Sequence, residues 1–161
     1  MKRILFTAAL SAVAAGAIAA GAAFAQHRQH GAHATPAGAD ARQAVDFPAD
    51  LREHMLSNMR DHLAVLQEIQ EALARGAADR AADVAERRLG MSSLTLHGAQ
   101  EAAKFMPQGM QDAGTGMHRA ASRFAIAAQD AGVTGDVRAA LGALSEVTAQ
   151  CVGCHAGYKV R

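Results

Sequence analysis

Tryptophan is absent from this chain, tyrosine occurs once, and aromatic residues make up only 4%. β-Branched residues are also few, so the material for pleated strands is thin, and no alternating apolar and polar stretch of strand length survives anywhere. Charge of one sign is lacking as well. A formal net charge of +1 with no basic stripe gives no reason to expect nucleic acid as a partner. No nucleophile with an acid–base companion stands out, which leaves no sign of an enzyme. What the chain has in abundance is alanine, and that composition is helical.

The first residues bear on the compartment. Lys2 and Arg3 give a positive start, the stretch from Ile4 to about Ala20 is apolar, and Ala23-Phe24-Ala25 offers the small residues that a signal peptidase needs. Residues 1–25 therefore read as a signal peptide, with a periplasmic chain beginning at Gln26 and no membrane span after cleavage. The processed chain loses two positive charges and no acids, which takes the formal charge to −1. Residues 26–46 are small and polar without an apolar period, the pattern of a flexible linker, and His27, His30 and His33 in it are candidates to catch a transition-metal ion. Residues 47–161, about 115 in number, are enough for one domain with a single core.

Four helical segments fit this domain. Helix A runs from about Pro48 to Arg75, with Asp46 as cap and Gly76 as stop; Met55, Met59, His62, Leu66, Ile69 and Leu73 recur at steps of four and three, and Leu56 and Leu63 widen the stripe. Helix B spans about Asp79 to Phe105 and places Leu89 and Leu96 on one side, with Gly90 and Gly98 weakening it and Pro107 ending it. Helix C is firm from about Thr115, after Gly109 and Gly114, and continues to Gly132. Helix D follows Gly135 and carries Val137, Leu144, Val147, Cys151, Cys154 and Tyr158 on one seam. Such stripes are hidden most economically against one another, in an all-α, antiparallel four-helix bundle.

Both cysteines lie in Cys151-Val152-Gly153-Cys154-His155. This spacing reads as covalent attachment of haem c. Two thiols one helical turn apart reach the two vinyl groups of one porphyrin, and the histidine after them swings under the iron as axial ligand. A thioredoxin-type redox pair wants its two cysteines where a strand runs into a helix, and a structural zinc site wants a fourth ligand. A disulfide across so short a loop on a regular helix is sterically awkward.

The motif near the C-terminus, followed by an aromatic and a basic residue (CVGCHAGYK), on the last helix of a small exported bundle, resembles the class II c-type cytochromes, which include cytochrome c-prime and its low-spin, methionine-ligated relatives. The likeness covers about Phe47 to Arg161 and is specific at the motif. It implies that haem lies within the bundle with helix A on its distal face, that Lys159 lies near the His155 ligand, and that a basic residue such as Arg52 or Arg60 meets a propionate. It also implies pairing of two copies through helices A and B.

The sixth position decides the function. Met59 stands within about one residue of where the low-spin relatives carry their methionine; Met55, one turn earlier, and His62 are the other candidates. A thioether ligand makes a one-electron carrier that serves periplasmic redox partners, whereas an open sixth position makes a binder of NO or CO. A third reading is a copper-binding bundle that uses Met106, Met110, Met117, His97 and His118.

Overall fold

A computed structural model describes residues 40–161; the expected signal peptide and most of the expected linker, with His27, His30 and His33, lie outside the described residues. The chain is mostly helical with one very small parallel sheet. Strand β1 (Gln43–Val45) precedes helix α1 (Ala49–Ala74) and α2 (Ala78–Arg88). A 3-10 turn at Met91–Ser93 leads to the short α3 (Ala99–Ala103), then α4 (Gln108–Thr134), α5 (Val137–Gly157) and strand β2 (Tyr158–Val160). No helix among the described residues is long and apolar enough to cross a membrane.

Helix ends follow local chemistry. Gly76 takes φ 73°, and Ala77 donates back to the Ala72 carbonyl at 2.8 Å, which satisfies carbonyls left over at the end of α1. Helix α5 is capped by Asp136, whose carboxylate accepts from the Arg138 amide at 3.1 Å. At the start of α1, Pro48 occupies the cap position, and the expected cap Asp46 pairs instead with Arg161 at 3.2 Å. The pairing draws Asp46 toward the C-terminus, away from the helix amides.

Three expectations need correction. The expectation of a flexible linker up to residue 46 fails at its end, because Gln43–Val45 pair in parallel with Tyr158–Val160 and Val45 is buried. This two-stranded clasp has too few residues to give an alternating pattern that a sequence would reveal. The second helix is broken into α2, the 3-10 turn and α3. Ser93 Oγ donates to the Gly90 carbonyl at 2.7 Å, competing with helix continuation, and Gly98 adopts φ 62°. Helix α4 starts at Gln108, ahead of the expected Thr115, and runs through four glycines, Gly109, Gly114, Gly116 and Gly132. Two of them admit close neighbours: a Cβ on Gly109 would stand 2.4 Å from the Tyr158 hydroxyl, and one on Gly116 2.7 Å from Gln150 Oε1. Packing against the end of the chain thus overrides low helix propensity.

Helix α4 packs along α5 and α2, and α2 along α1, whereas α1 makes no comparable close approach to α5. The main core gathers Val65, Ile69, Leu89, Phe124, Leu144 and Val147. A smaller cluster holds Val45, Phe47, Met55, Ala102 and Met110, with Met59, Met106, Cys154 and Tyr158 packed against it. Of the apolar positions expected on the seams, Leu63 and Leu96 are largely exposed, at 70% and 63%. For Leu96 the cause is the helix break, which turns His97 inward in its place.

Phe124 is fully buried, whereas Ile126 on the same helix is 61% exposed. Phe124→Ala is expected to cost about 3–5 kcal/mol in urea denaturation. Ile126→Ala is expected to stay within about 0.5 kcal/mol. Equal losses would contradict the packing described.

Candidate functional site

A cavity of about 490 Å³ opens where α1 and α5 fail to close on each other. That size falls within the range of cofactor sites, about 300–1,000 Å³. Cys151, Cys154 and His155 line it from α5, Met55, Met59, His62 and Leu66 from α1, and Met117 and His118 from α4, with His97 and Met106 supplied by the segment between. The cavity touches both core clusters, and Met59, Met106 and Cys154 share the smaller of them.

The C-terminal motif occupies the last turns of α5, whose regular helix sets Cys151 and Cys154 on one face, half-buried, while His155 is exposed. No disulfide joins the two cysteines. Burial pushes the Cys151 thiol up from its ordinary range; for Cys154 burial comes first and the neighbouring Cys151 adds to it. A reactive dithiol needs the opposite shift, toward the thiolate, so the environment disfavours the thioredoxin-type reading.

On the facing wall, Met55 is buried and Met59 partly so. His62 carries an Nε2 that is buried without a hydrogen-bond partner. Burial first, then the rings of His97 and His118, hold its pKa down to about 4. His97 is shifted the same way by burial and by His118. The three candidates for the distal position therefore all reach the cavity that the cysteine motif lines.

The basic candidates do not. Arg52 pairs with Glu53 at 3.2 Å, Arg60 is exposed, and Lys159 in β2 pairs with Asp40 at 3.2 Å; none lines the cavity. Of the soft-ligand group, Met106, Met117, His97 and His118 line it and Met110 does not. Sequence reasoning missed His54 and Asn58, which hold the His97 carbonyl at 3.2 and 3.0 Å and so anchor the broken second helix to α1. Nor does the sequence pattern join His62 to His97 and His118, although the three rings meet. No local pattern could have found this, because the three residues lie far apart in the chain and converge only through the break at Gly98.

The low His62 pKa gives a pH dependence with a defined sign. Below its ordinary 6.5 the unfolded chain takes up a proton that the folded chain refuses until about 4. Stability of the haem-free, metal-free chain is therefore full above about pH 6.5 and falls as pH drops toward 4. His62→Leu should reduce the loss between pH 7 and 4.5 by about 2 kcal/mol in urea unfolding; an unchanged pH profile would contradict this. Compared with protein-family models, curated proteins and solved structures, the chain matches none.

Proposed function

We propose that the chain is an exported, periplasmic c-type cytochrome that carries one haem and passes single electrons between periplasmic redox partners. The observation that carries this reading is the cavity between α1 and α5, which has the two thiols and the histidine of the CVGCH motif on one wall and Met55, Met59 and His62 on the other. The residues fit the group: the lining is largely apolar, two thiols stand one turn apart, and candidate axial donors face each other across the space. In this reading α2 and α3 together serve as the second helix of an antiparallel four-helix bundle, in line with the resemblance to class II c-type cytochromes.

Cys151 and Cys154 would tether the porphyrin through thioether links, and His155 would supply the proximal nitrogen. Met59 is the favoured distal donor on the resemblance, since it stands within about one residue of where the low-spin relatives carry their methionine; Met55, in the same cluster, is the alternative. When bound, the haem supplies the ferric–ferrous couple. The chain would contribute burial and ligand choice: the apolar walls would keep water from the group, and a thioether ligand from Met59 would favour the reduced state and raise the potential.

Absorption spectra of the haem-loaded protein test the ligand. A low-spin ferric form with a sulfur-to-iron band is expected, lost in Met59→Leu and kept in Met55→Leu. High-spin ferrous protein that takes up CO without displacing a ligand would overturn the carrier reading in favour of gas binding.

A further inference from the structure

His62, His97 and His118 come from α1, from the segment before α3 and from α4, and their rings gather on the wall of one cavity. Ring centroids lie 4.6 Å apart for His62 and His97, 5.4 Å for His97 and His118, and 6.2 Å for His62 and His118. Three imidazoles bound through nitrogen to one tetrahedral ion at about 2.0–2.1 Å would hold their ring centres about 5 Å apart. The observed spacing brackets that value.

Hydrogen bonding selects the nitrogen that each ring offers. Ser93 Oγ donates its proton to the Gly90 carbonyl at 2.7 Å, so toward His97 Nδ1, 3.4 Å away, it acts as acceptor. His118 Nδ1 donates to the Leu89 carbonyl at 2.7 Å. Both rings thus keep their proton on Nδ1 and leave Nε2 as the lone-pair atom, the support that ligating histidines receive from a backbone carbonyl or hydroxyl. Nε2 of His97 and Nε2 of His62 are buried with no partner among the described residues, and such atoms call for a ligand. As the side chains stand, no group of three His, Cys, Asp or Glu among the described residues is set to hold an ion, so loading requires the rings to turn. His62, which makes no side-chain hydrogen bond, can do so.

We propose that His62, His97 and His118 form a second, non-haem site that binds one divalent first-row transition-metal ion through three neutral imidazoles. Nitrogen donors without a carboxylate suit zinc, copper or nickel and not magnesium or calcium. The proposal goes beyond the haem reading and does not rest on it, since none of the three residues belongs to the CVGCH motif.

The test uses the haem-loaded full chain in which His27, His30 and His33 are replaced by alanine, titrated with zinc by calorimetry. One zinc per chain is expected, with affinity at least tenfold lower in His97→Gln and in His118→Gln. Zinc-edge X-ray absorption of that chain with His62, His97 and His118 intact should show imidazole nitrogens at about 2.0 Å, a readout that survives if a substituted chain fails to fold. Absence of stoichiometric zinc, oxygen-only coordination, or affinity unchanged from the parent chain in both variants would overturn the site. So would a change of the haem spectrum in His62→Gln that showed this ring on the iron. Haem content, read from the same samples, separates the two readings: zinc without haem would sink the cytochrome and leave this site standing.

Discussion

Parallel pairing of β1 with β2 is the constraint on which the rest of the molecule depends. Gln43 lies opposite Tyr158 and Val45 opposite Val160, and the Arg161 amide donates to the Val45 carbonyl at 3.0 Å. Strand β1 leads directly into α1 and β2 directly out of α5, so the clasp holds the start of one helix to the end of the other. Met55 and Met59 are thereby held at the level of Cys154. Beyond the clasp, α4 and α2 fill the distance between α1 and α5, and the space left between them is the cavity.

An apolar-walled space of this size is an energetic liability when only water fills it, because its lining forgoes the dispersion contacts and burial of a packed interior. A flat, largely apolar ligand would restore them, and anything that binds the folded chain alone stabilises it by mass action. The same accounting applies to the buried nitrogens of His62 and His97, each a desolvated polar atom without a partner. Both features would be relieved by an occupant, which is what the proposed haem and metal ion would provide. The main core, around Phe124, Ile69 and Val65, is separate from the cluster that holds the clasp and draws on α1, α2, α4 and α5.

Much of the architecture was legible because it is written in short-range patterns. The stepping of Met55, Met59, His62, Leu66 and Ile69 has a period that fits only a helix. Gly76, Gly135 and Pro107 punctuate the chain where left-handed backbone or a missing amide requires it. The candidate site was legible for the same reason, since CVGCH is five consecutive residues and the seam of α1 faces it. The parts that were not legible depend on contacts between distant residues. Gly109 and Gly116 look like helix breakers until Tyr158 and Gln150 are seen to press against them. A three-residue strand such as β1 has no pattern apart from its partner at the other end of the chain. The meeting of His62, His97 and His118 is likewise a product of the left-handed turn at Gly98, with His54 and Asn58 fastening it to α1.

The most direct test of the account is the intact mass of the processed protein made in a host that can build c-type cytochromes. The mass of one haem above that of the polypeptide is predicted, retained under denaturing conditions and lost in the Cys151→Ser, Cys154→Ser double variant. A denatured chain at its bare polypeptide mass, with both cysteines as free thiols, would contradict the central claim.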